Sequence, residues 1–75
     1  MSVSIANHVR LDIVEQVIRQ CEEHGVDNAA KLPQGVVAEE IYHVLAALEW
    51  VAPEDLGEAA EGLVGQFDDL AWEPY

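Results

Sequence analysis

VVAEEIYHVLAALEWV, residues 36–51, is the stretch that decides the fold. Val37, Ile41, Val44, Leu48 and Val51 recur at alternating intervals of four and three. That is the spacing at which side chains stack along one face of an α-helix. The competing pattern, period-2 alternation, is found only at Ser2-Val3-Ser4-Ile5, which is too short to build a sheet. A helix over 36–51 with this seam turned inward is therefore the anchor of the reading.

The flanks follow the same rule. Pro53 ends the helix and also suits the first turn of another, where Glu54 and Asp55 favour the positive end of the dipole. Leu56, Ala60, Leu63, Phe67 and Leu70 repeat the seam and predict a helix over 54–71. Upstream, a helix is expected over 7–24, capped by Asn7 or Ser4 and closed by Gly25 in the left-handed conformation. Its seam reads Leu11, Val14, Ile18 and Cys21. Val9, Ile13 and Val17 widen the apolar arc past half the circumference, so more than one neighbour must cover it. Asp12, Glu15, Arg19, Glu22 and Glu23 take the other side, with Glu15 and Arg19 spaced for an i,i+4 ion pair. Between the first two helices, Asp27 is placed to cap a single turn through Asn28–Lys31 before Pro33 and Gly35 interrupt it. The fold class is all-α, a small three-helix bundle forming a single domain over 1–75. Val14, Ile18, Ile41, Val44, Leu48, Leu63 and Phe67, each mid-seam, are expected to be buried together.

Charge gives the functional lead. The net charge is −12, and its distribution is uneven. Arg10, Arg19 and Lys31 all lie in the first 31 residues, where five acids leave a balance of −2. From Leu32 onward there are ten carboxylates and no Lys or Arg, a balance of −10. Charge of one sign opposes compaction, and solubility in a small domain asks only for a net charge of roughly 2–8. The excess points to a cationic partner. At 51% apolar residues the chain is also too hydrophobic for a disordered acidic tail. It should fold and carry its charge on a rigid surface.

Other classes are excluded in turn. Nucleic-acid binding needs phosphate-neutralising cations, so the chain is not expected to hold DNA or RNA itself, and anionic membranes are disfavoured for the same reason. The N-terminus lacks a basic region, its apolar residues are interrupted by Asn7, His8, Arg10 and Asp12, and no apolar run reaches the ~18–20 residues of a membrane span. Cys21, the single cysteine, cannot form an internal disulfide and fits a reducing cytoplasm. An acyl carrier would need a serine at a helix start, but Glu54-Asp55-Leu56-Gly57 offers no hydroxyl. Cys21 with His24, and Glu39 with His43, each have one-turn spacing, yet two ligands make no metal site. No Gly-rich phosphate loop, nucleophile elbow or paired-carboxylate cleft can be read, so no enzyme activity and no cofactor are expected.

Two surfaces remain as candidates. Turning the 36–51 seam inward puts Tyr42, Ala46 and Trp50 on the far side, flanked by Glu39, His43 and Glu49. Such a stripe either packs beneath Val26–Leu32 or the C-terminal Trp72-Glu73-Pro74-Tyr75, or anchors a partner, since Trp and Tyr dominate interface hot spots. The third helix carries Glu54, Asp55, Glu58, Glu61, Asp68 and Asp69 outside its seam. An ordinary solvated face interleaves Lys with Glu. Here none is interleaved, and Gly62 and Gly65 each forgo about 1 kcal/mol of helix propensity relative to Ala.

In shortness, helicity, one-signed charge and lack of any catalytic motif, the chain resembles the small acidic inhibitors encoded by phages, above all the anti-CRISPR proteins that mimic DNA. That resemblance implies a monomeric inhibitor in the bacterial host cytoplasm. It would occupy a basic DNA-binding surface and block target DNA or PAM recognition by a type I CRISPR surveillance complex. The carboxylates of the third helix would stand in for phosphates. The alternative class is an immunity protein or antitoxin that neutralises a basic nuclease.

Overall fold

A computed structural model describes residues 5–71. The chain runs α1 (Asn7–His24), a 3-10 turn (Ala29–Lys31), α2 (Val36–Ala47), a second 3-10 turn (Pro53–Asp55) and α3 (Leu56–Phe67). Helix α2 lies in the middle and packs against both α1 and α3. Its Val37, Ile41, Val44 and Leu45 are buried, as a helix covered from two sides requires. The result is a three-helix bundle with extents of 36 × 23 × 21 Å.

The inward face of α1 differs from the expected seam. Val9, Ile13, Val17 and Cys21 are fully buried, whereas Val14 and Ile18 are half-buried and Leu11 is 65% exposed. Both stripes fit a helical period, and the wide apolar arc hid which edge of it faced α2. The N-cap is Ala6, without a side-chain bond, and Asn7 is the first helical residue. Ser4, the other expected cap, lies outside the described residues. Arg10 leans towards α3 instead of solvent: its guanidinium donates to Gln66 Oε1 at 3.0 Å and sits 5.6 Å from the Phe67 ring centroid. Among the described residues Lys31–Asp27 is the Lys or Arg ion pair, so the expected Glu15–Arg19 pair does not form.

The first connection is tied down by Asn28, not by Asp27. Asn28 Oδ1 accepts from the Ala30 N–H at 2.8 Å and so caps the 3-10 turn. Its Nδ2 donates to the Asp69 carbonyl at 3.3 Å, and the Ala29 N–H donates to the Leu70 carbonyl at 2.9 Å. Asn28 and Ala29 together thereby fasten the exit of α3 to the turn that follows α1. Asp27 spends its carboxylate on Lys31 Nζ, 2.7 Å away, and that hydrogen bond and charge hold its acid below the usual carboxylate range.

Helix α2 stops at Ala47, four residues short of the expected end at Val51. The Glu49 N–H donates to the Ala46 carbonyl at 3.2 Å and the Trp50 N–H to the Leu45 carbonyl at 3.0 Å. This is the Schellman closure, with Glu49 in the left-handed position at φ 51°. The same closure ends α1, where Gly25 at φ 69° holds that position and Val26 donates back to Cys21. Leu48, the C-cap residue, keeps helical geometry and donates to the Val44 carbonyl, but is 39% exposed and not part of the core, whereas Leu45 is fully buried. Helix α3 is likewise shorter than 54–71: Glu54 and Asp55 sit on the 3-10 turn before it, and Asp68 and Asp69 follow its last residue. Its seam holds through Leu56, Ala60, Leu63 and Phe67, all buried, with Leu70 packed half-buried against them.

Candidate functional site

Ten residues emerged from the sequence as partner-facing: Glu39, Tyr42, Glu49, Trp50, Glu54, Asp55, Glu58, Glu61, Asp68 and Asp69. All ten are exposed. They do not form one continuous ridge. Of the six acids assigned to the third helix, only Glu58 and Glu61 lie on α3 itself, whose 12 residues rise ~18 Å. With the buried seam of α3 turned inward, Glu58, Glu61, Gly62 and Gly65 face outward. Glu54 and Asp55 extend that face from the 3-10 turn at its N-terminal end.

Glu58 and Glu61, three residues apart on α3, are like charges that neighbour one another on the helix surface, and Glu54 precedes them on the 3-10 turn. Glu58, in the first turn of α3, recovers part of the cost, because the helix dipole favours negative charge there. None of the three basic side chains pairs with them: Lys31 is held by Asp27, Arg10 reaches to Gln66 and Phe67, and Arg19 is exposed on α1. A Cβ built on Gly57 or Gly65 would meet nothing within 4 Å, so neither glycine is required by packing inside the bundle. Asp68 and Asp69 form a separate acidic end, pinned beside the Asn28 loop.

The aromatic stripe is divided as well. Tyr42 is 43% exposed on α2, its ring edge-on to His43 at 6.2 Å. His43 Nε2 lies 3.6 Å from Glu39 Oε1 on the same open face. Trp50 has left the helix and turns to α1, where its ring meets His8 at a centroid distance of 5.7 Å. Trp50 therefore does not pack beneath Val26–Leu32, and the alternative cover, Trp72–Tyr75, lies outside the described residues.

The early end of α2 opens a groove that the sequence reading missed. Ala46, Glu49, Trp50, Val51, Ala52, Pro53 and Leu56 line an open depression of about 480 Å³ between the end of α2 and the start of α3. One signal did exist: a residue before proline is pushed out of the helical region, so a helix could not run smoothly into Pro53. No left-handed glycine marked the break, because Glu49 stands in that position.

Of the candidate ligand pairs, Glu39 and His43 approach each other on α2, and no third ligand among the described residues joins either pair. Cys21 is fully buried, and burial, with Asp27 adding to it, pushes its thiol above the ordinary range. His24 is exposed, its Nδ1 2.9 Å from the Gln20 carbonyl oxygen. Among the described residues there is no group of three or more His, Cys, Asp or Glu side chains able to hold a metal. No described helix is long and apolar enough to cross a membrane. No protein-family model, curated protein or solved structure matches this chain.

Proposed function

We propose that this protein is a non-catalytic inhibitor that presents carboxylates to a Lys/Arg-lined nucleic-acid site on a protein partner. The observation that carries the reading is the run of exposed acids Glu54, Asp55, Glu58 and Glu61, with which no Lys or Arg of the chain pairs. Compared with a phosphate track along one long helix, the matching element is shorter. It is a cluster at one end of α3, with Asp68 and Asp69 as a second, separate contact. A basic site built for phosphates would exchange its counterions for these side chains, so binding should weaken steeply as salt rises.

The resemblance to acidic anti-CRISPR proteins makes the DNA-entry or PAM-reading surface of a type I surveillance complex the first target to test. Titrating the protein into such a complex carrying labelled target duplex should release the duplex, with less release at higher salt. If the protein binds the complex and leaves the duplex in place, charge mimicry of DNA is the wrong mechanism. Protection of a nuclease toxin without competition for its DNA would move the protein to the immunity class.

A further inference from the structure

The groove at the end of α2 has a different chemistry from the acidic end beside it. Most of the side chains that line it are apolar, those of Ala46, Trp50, Val51, Ala52, Pro53 and Leu56, and its one charged lining residue is Glu49. Glu54 and Asp55, both exposed, follow the lining residue Pro53 directly on the 3-10 turn. None of the chain's Lys or Arg residues lines it. Trp50 is held by its edge contact with His8 and is still 37% exposed, so a rigid aromatic face remains available to a visitor.

Glu49 sharpens the point. A left-handed residue closing a helix is usually Gly, and a side chain there carries a conformational cost. Here the position holds a glutamate, and that residue lines the groove. Mostly apolar lining side chains, one glutamate among them and two more carboxylates next in the chain match an occupant that combines an apolar side chain with cations.

We infer that this groove docks a segment of the protein partner in which an apolar side chain is flanked by Lys or Arg. The apolar side chain inserts against Trp50 and Pro53, and the flanking cations meet Glu49 and Glu54. The inference takes from the proposed function only that the partner is cationic; it does not require that DNA be the displaced ligand.

The test is an NMR titration of the full-length, isotopically labelled protein with a short synthetic peptide of lysines around a central pair of leucines. Amide shifts should concentrate at Ala46, Trp50, Val51 and Leu56. They should shrink about tenfold in apparent affinity when the leucines are replaced by glycine. Ala46→Arg, on an exposed position, should fill the groove and cost a similar factor while the circular-dichroism melt stays unchanged. Glu49→Gln should weaken binding by a smaller factor and flatten its salt dependence. Shifts spread over Glu54–Glu61 regardless of leucine would overturn the groove assignment, as would unchanged binding by Ala46→Arg or no binding at millimolar peptide. Failure here leaves duplex release from the surveillance complex untouched, and failure there leaves the leucine dependence untouched, so the two ideas fail separately.

Discussion

The rings of His8 and Trp50 meet edge to face, 5.7 Å apart with their planes at 82°, and so join the first turn of α1 to the segment that leaves α2. An edge-on aromatic pair contributes about 0.5–1.5 kcal/mol beyond area burial. Trp50 is 37% exposed, so its removal should not cost what a core aromatic costs. Trp50→Ala is expected to lower stability by about 1–2 kcal/mol, against about 3–5 kcal/mol for full burial. Urea unfolding checks this: a native baseline should persist, with the midpoint lowered.

Glu49 offers the opposite outcome. At φ 51° it sits where L-residues are strained by roughly 1–2 kcal/mol. Glycine relieves that strain but loses about 0.5–1 kcal/mol to the freedom of the unfolded chain. Glu49→Gly should therefore stabilise the protein by about 0.5–1 kcal/mol, read as a higher urea midpoint at constant slope. A lower midpoint would mean that the glutamate makes a compensating contact in the folded state.

The core assignment separates neighbouring leucines. Leu45 is fully buried and Leu48 is 39% exposed, although both lie on the apolar side of the same periodic stretch. Leu45→Ala and Phe67→Ala should each cost about 2–5 kcal/mol. That is a large share of the stability available to so short a domain. Leu48→Ala should cost about 1 kcal/mol or less. Thermal melts of the three variants decide between this packing and a helix that continues to Val51.

What the sequence made legible, and what it concealed, has the same physical origin. Spacing of 3–4 identifies helices and their buried faces, so α1, the seam of α3 and the bundle itself were readable. Where the apolar arc is wide, as on α1, the period permits neighbouring faces, and only the position of α2 selects Val9, Ile13 and Val17 over Leu11. Helix ends were readable where the closing residue had the expected chemistry. Gly25 announced the end of α1, whereas the identical closure at Glu49 carried no such mark and left Trp50 on a helix it does not join. The exposure of the acidic residues was legible from charge alone. Their separation into two ends was not, because it depends on where α3 begins and stops.

Repulsion among Glu54, Glu58 and Glu61 should be visible in the free protein. Between 0.01 and 0.1 M salt the Debye length falls from about 30 to about 10 Å. The melting temperature should rise with NaCl over that range, since added ions screen like charges in the folded state. A flat or falling dependence would mean the carboxylates are better compensated than their spacing indicates.

The most direct measurement of the central claim is displacement of labelled duplex from a type I surveillance complex by a charge-reversed variant. Glu54, Glu58, Glu61 and Asp68 are all exposed, so changing the four to Lys leaves the buried seam intact. The variant should keep its helical circular-dichroism spectrum and release no duplex at concentrations where the native protein releases it fully. A variant that stays folded and displaces the duplex as well as the native protein would contradict the account.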